Sequence, residues 1–186
     1  ITLTVNRAGT TFNDVTVAFA TTNLSAVAGS DYYATNGTLT FTSGVASASI
    51  TLRLINDDLQ ETNKMLQVRL SGVTDGVITN GTNTITITDD DASTLAFATN
   101  AITAGESNVT LTIVVERSGA TNTAVAVNYT NANLGATAGS DYTLTAGTLA
   151  FAPGIVSNSF TVDLLHDLTL ETNETFTVAL SNVSGA

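Results

Sequence analysis

The chain has 186 residues, 43% of them apolar, with Thr, Asn, Ser and Gly dominating the rest and no Cys or Trp. Sixteen acids against one Lys and four Arg give a net charge of -11, which argues against nucleic acid or anionic membranes as partners and for cations. No segment approaches the length of a membrane span, nothing at the start reads as a signal peptide, and without cysteine there is no disulfide, no thiol chemistry and no redox-compartment signal.

Apolar residues alternate with period two, the mark of half-buried strands. In chain order the runs are Ile1/Leu3/Val5, Val15/Val17/Phe19, Leu39/Phe41, Ile50/Leu52/Leu54, Leu66/Val68/Leu70 and Ile85/Ile87. The last of these ends in three consecutive carboxylates, Asp89-Asp90-Asp91, and Thr94-Leu95-Ala96-Phe97 follows. Next come Leu111/Ile113/Val115, Val125/Val127/Tyr129, Leu149/Phe151, Phe160/Val162/Leu164 and Phe176/Val178/Leu180. Gly-containing turns separate most runs and no helical period is sustained, so the expected class is all-β: two tandem antiparallel β-sandwiches.

The tandem arrangement rests on an ungapped repeat with an offset of 110 residues. Ala28-Gly29-Ser30-Asp31-Tyr32 returns unchanged as Ala138-Gly139-Ser140-Asp141-Tyr142, and Gly37-Thr38-Leu39-Thr40-Phe41 returns as Gly147-Thr148-Leu149-Ala150-Phe151. Ile1 aligns with Leu111 and Ala186 with Gly76, so residues 1–91 read as a sandwich lacking its first strand and 92–186 as one lacking its last. The expectation is a window from something longer, or a unit whose missing strands come from neighbours.

Twelve of the sixteen acids fall at a few short sites near strand ends. Counting strands up and down brings Asp31, Asp57, Asp58, Glu61, Asp89, Asp90 and Asp91 to one end of the first copy, and Glu106, Asp141, Asp167 and Glu171 to the same end of the second. Aspartate favours turns for its own reasons, and for a single residue that is the simpler reading. Seven carboxylates at one end with no basic cluster opposite point to a hard cation. Calcium takes six to eight oxygens at roughly 2.3–2.6 Å in flexible geometry, whereas magnesium keeps its waters. Zinc or copper would need His or Cys, and the chain offers only His166.

The repeated Ala-Gly-Ser-Asp-Tyr and Gly-Thr-Leu-Xaa-Phe motifs, Ile55-Asn56-Asp57-Asp58 with Glu61, and Ile87-Thr88-Asp89-Asp90-Asp91 together resemble the Calx-beta domain, across essentially the whole chain as two partial copies. The resemblance implies a seven-stranded immunoglobulin-like sandwich with Ca2+ at one end. Its implied ligands are Asp31, Asp57, Asp58, Glu61, Asp89, Asp90 and Asp91 in the first copy, and Glu106, Asp141, Asp167, Glu171 and Glu174 in the second. There are departures: Asn56 and His166 stand where binding members often have Asp, Lys64 stands where the second copy has Glu174, and Leu168 where the first has Asp58.

The expected function is a calcium-binding structural or adhesion module of a secreted or cell-surface repeat protein, the ion stiffening loops and the joint between domains. Its expected partners are neighbouring repeats, copies of itself, or a cell-surface or matrix ligand. Two alternatives are a homopolymeric fibre completed by strand exchange and a calcium-sensing regulatory domain. Enzymatic readings are set aside: His166 aligns with Asn56 and so reads as a loop position, no phosphate-cradling loop precedes a helix, and the bunched acids lack the substrate cleft a glycosidase needs.

Overall fold

A computed structural model describes residues 1–105, 107, 109–166 and 172–185. Among them there are thirteen strands and no helix. The chain divides into two compact units, Ile1–Asp57 with Glu61–Asp89, and Asp58–Gln60 with Asp90–Ala186.

The first unit contains β1 (Thr2–Asn6), β2 (Val15–Asn23), β3 (Asn36–Phe41), β4 (Ser47–Thr51), β5 (Lys64–Ser71) and β6 (Thr82–Ile87). One sheet runs β3-β2-β5-β6, and β1 pairs with β4 in the other. The second unit contains β7 (Ser93–Phe97), β8 (Thr110–Gly119), β9 (Val125–Asn133), β10 (Tyr142–Thr143), β11 (Gly147–Phe151), β12 (Ser157–Leu164) and β13 (Phe176–Ser184). Its sheets run β11-β9-β13 and β10-β12-β8-β7. Every pairing between these strands is antiparallel.

Period-two patterning decides which face is buried. Val15 and Val17 of β2 point inward with their register partners Phe41 and Leu39, and Ile50, Leu52, Leu66 and Val68 complete the first core. The same register returns 110 residues on, where Val125 pairs with Phe151 and Val127 with Leu149. Each such buried aliphatic or aromatic side chain contributes about 1.5–3 kcal/mol relative to exposure. The chain is therefore all-β, as two tandem immunoglobulin-like antiparallel sandwiches.

One expected strand is shorter than its pattern. Leu52 and Leu54 continue the alternation of β4, yet pairing with β1 stops at Thr51. From Arg53 onward the backbone turns its polar groups to the neighbouring loop: Tyr33 N–H donates to Arg53 O and Ile55 N–H to Asp31 O. Leu52 itself stays buried and still bonds to the start of the chain, its N–H donating to Ile1 O and its carbonyl accepting from the Ile1 ammonium, each at 2.8 Å.

The two units differ at one sheet edge. In the second, β7 pairs with β8 from Ser93↔Gly119 to Phe97↔Val115. The matching strand β1 pairs only with β4, and a groove of about 690 Å³ lined by Leu3, Val5, Val68, Leu70, Val73 and Ile78, among others, lies in this unit. The edge strand also changes the fate of a repeated arginine. Arg7 is half-buried and donates to Asn13 O, whereas Arg117 is buried and donates to Ser93 Oγ and Ala120 O.

Candidate functional site

The repeated Ala-Gly-Ser-Asp-Tyr motif builds the same loop twice. Gly29 and Gly139 take φ of 91° and 93°, a left-handed conformation that suits glycine, and each donates its N–H to the carbonyl of the motif tyrosine. Tyr32 is buried, and its hydroxyl donates to Asn23 Oδ1 at 2.6 Å, an oxygen that also accepts Ala28 N–H at 3.0 Å. Tyr142 and Ala138 hold Asn133 Oδ1 at 2.7 and 3.1 Å. Within each loop the aspartate bonds back to the main chain: Asp31 Oδ2 accepts Val27 N–H, and Asp141 Oδ2 accepts Thr137 N–H, both at 2.6 Å.

The copies part company at the second oxygen. Asp31 Oδ1 pairs with Lys64 Nζ at 2.6 Å, and the same ammonium pairs with Glu61 Oε2 at 2.5 Å. Asp31 is buried, so its charge needs both partners. The Lys64 ammonium, and after it the Val27 N–H, hold the Asp31 carboxyl below the usual carboxylate range, against the opposing effect of burial. Asp31 first, then Glu61, push the Lys64 ammonium above the ordinary lysine range. Glu61 N–H donates to Asp89 Oδ2 and Asp89 N–H to Asn63 Oδ1, each at 3.1 Å, so Asp89 ties the end of β6 to the loop before β5.

The first unit thus links Asp31, Glu61 and Asp89 into one chain of contacts, with Asp57 exposed on the loop that follows β4. Asp58, Asp90 and Asp91 belong to the second unit, so the division falls inside the acidic triplet. In the second unit Asp141 is half-buried and Glu174 exposed. Residues 92–186 contain no lysine, and their one arginine, Arg117, donates to Ser93 and Ala120. Glu106, Asp167 and Glu171 lie outside the described residues. Among the described residues no group of three or more Asp, Glu or His is arranged to hold a metal.

Calcium does not fit between Asp31 and Glu61 as they stand. An ion 2.3–2.6 Å from their oxygens would occupy roughly the place of the Lys64 ammonium. In the second copy the matching position carries a carboxylate. Main-chain bonding supports the match: Ala26 N–H donates to Met65 O at 2.8 Å, and Ala136 N–H to Thr175 O at 2.9 Å, so residues 64 and 174 precede equivalent bonds.

Lys64 at the centre of this network was legible only as a departure from Glu174. Asn23 and Asn133 escaped the sequence reading, although their identity at the repeat offset marked both.

Fold and site define a tandem of immunoglobulin-like sandwiches with ionically tied loops at the strand ends. Residues 1–91 and 88–186 each match the Calx-beta domain, and the chain belongs to that family. It is 30% identical over 190 residues to the adhesion G-protein coupled receptor V1 of Danio rerio, covering 97% of this chain and 3% of the receptor. It is 30% identical over 197 residues to sodium/calcium exchanger 1 of Rattus norvegicus, covering 95% of this chain and 20% of the exchanger. The chain therefore spans a small part of these relatives. Two solved structures share its fold: the calcium binding domain CBD12 of CALX1.1 (TM-score 0.54, 24% identity, 98% of this chain and 74% of that one) and CBD12 from CALX1.2 (TM-score 0.52, 24% identity, 100% and 74%).

Proposed function

We propose that the chain is a calcium-binding structural module of a secreted or cell-surface protein, the ion cross-linking strand-end loops of the second copy. The observation that carries this reading is the pair Asp141 and Glu174. Asp141 is held by the same backbone bond as Asp31, while the position of the first copy's ammonium is taken by a carboxylate. Glu106, Asp167 and Glu171 complete the candidate ligand set from the sequence. Like charges brought to one loop end repel, and a divalent ion would relieve that repulsion while bridging loops. A calcium binding domain shares the fold, which supports the calcium part of the reading, and an adhesion receptor among the relatives supports the cell-surface part.

A ligand that binds only the folded state stabilises it by about 2.7 kcal/mol at a hundredfold excess over Kd. Millimolar calcium is therefore expected to raise the melting temperature of the second copy by on the order of 10 °C over chelator. The double variant Asp141→Asn/Glu174→Gln is expected to lose that rise. Superimposable melts in calcium and chelator would end the reading.

A second reading concerns partners. The edge of β1 that no described strand pairs, in a unit that also carries a groove of mixed apolar and polar lining, favours addition of a strand from preceding chain, a neighbouring repeat or another copy of the chain. Concentration-dependent assembly in light scattering supports it, and a monomer at all concentrations rules out exchange between copies.

A further inference from the structure

We infer that Lys64 is the first copy's resident cation, closing its strand-end loops without calcium, and that the position occupied by Lys64 and Glu174 sets the cation requirement of each copy. The ammonium stands within 2.6 Å of Asp31 and 2.5 Å of Glu61. It is held in place from three sides. Lys64 opens β5 and pairs in register with Ile87 of β6. Asp31 is fixed by its Val27 bond and its burial. Glu61 is fixed by the Asp89 carboxylate on its N–H. A cation with three directed N–H donors can therefore bridge two loops as a divalent ion would, and it is covalently present at all calcium concentrations.

Exchanging Lys for Glu at one structurally equivalent position replaces that built-in cation with another anion. The second copy then has carboxylates at both matching positions, Asp141 and Glu174, in a stretch of chain with no lysine at all. One residue decides whether the loop end is self-sufficient or waits for an ion. What this says of the second copy rests on the calcium reading above; what it says of the first copy does not.

The alternative is a solvent-exposed ion pair of little consequence, since such pairs commonly add almost nothing to stability. Hydrogen exchange followed by mass spectrometry on the full chain separates the two. In chelator, Lys64→Met is expected to speed exchange roughly tenfold in peptides covering Val27–Tyr32 and Glu61–Met65, leaving β2 and the second copy unchanged. Unchanged β2 exchange certifies that the variant is folded, and Lys64→Arg is expected to restore most of the protection. Millimolar calcium is expected to leave the wild-type loops unchanged and to slow exchange in those of Lys64→Glu. Wild-type protection in Lys64→Met, or calcium-induced protection of the wild-type first-copy loops, overturns the lysine's role. Failure of calcium to protect Lys64→Glu overturns the rule for the position. If calcium alters nothing in the wild-type second copy, the proposed function fails, while the Lys64→Met comparison in chelator still decides the first copy.

Discussion

Asp31→Ala is expected to destabilise the first copy by about 2–4 kcal/mol, against about 1 kcal/mol for Asp141→Ala in the second copy under chelator. Both lose a bond to a main-chain N–H, from Val27 and Thr137 respectively. Among the described residues, Asp31 alone also leaves a cation behind, because Lys64 keeps only its pair with Glu61. Denaturant melts read separately for the two copies measure the difference, and equal losses would contradict it.

The same pair has a pH signature. Because the folded Asp31 carboxyl titrates below its ordinary range, its contribution is fully present above about pH 4 and disappears as pH falls through the folded value. Lys64 titrates above the ordinary lysine range, so its contribution is present below about pH 10 and fades only as pH rises beyond that. The gap between wild type and Asp31→Ala should therefore be flat through neutrality and narrow in acid.

Gly119→Ala is expected to destabilise the second copy by about 2–5 kcal/mol, and the matched Gly9→Ala the first copy by about 1 kcal/mol. Both glycines are left-handed, with φ of 77° and 91°, so both substitutions carry the conformational penalty. A Cβ at Gly9 would meet open space, whereas one at Gly119 would lie 2.2 Å from Ala92 O. That oxygen is there because Ser93 of β7 sits opposite Gly119. At roughly 4–8 °C per kcal/mol for domains of this size, calorimetry resolves the contrast easily. Equal shifts would mean that the edge strand does not close on Gly119.

Much of the fold is local pattern and so was readable. Alternation along Val15/Val17 and Val125/Val127 fixes the inward face, and the repeat offset fixes that both copies share one register. The end of β4 was not readable, because Leu52 and Leu54 keep the alternation while the backbone from Arg53 onward bonds to the loop after Asp31. Convergence of Asp31, Glu61 and Asp89 followed from strand parity, since parity is a property of topology. What occupies the centre did not follow, because parity places loops and not side-chain atoms. A lysine some thirty residues from Asp31 in sequence looked like a missing ligand, and its Nζ lies between two of the acids. Arg117 shows the same limit: it repeats Arg7 in sequence, yet its burial depends on β7.

On the proposals above, one chain carries two copies of a fold with different cation requirements. The most direct test is hydrogen exchange of the wild-type chain in millimolar calcium and in chelator, compared peptide by peptide. The expected result is calcium-dependent protection across Leu134–Tyr142 and Thr172–Phe176, with no change across Leu24–Tyr32 and Glu61–Met65. Calcium-dependent protection of the first-copy loops, or none in the second, would contradict it.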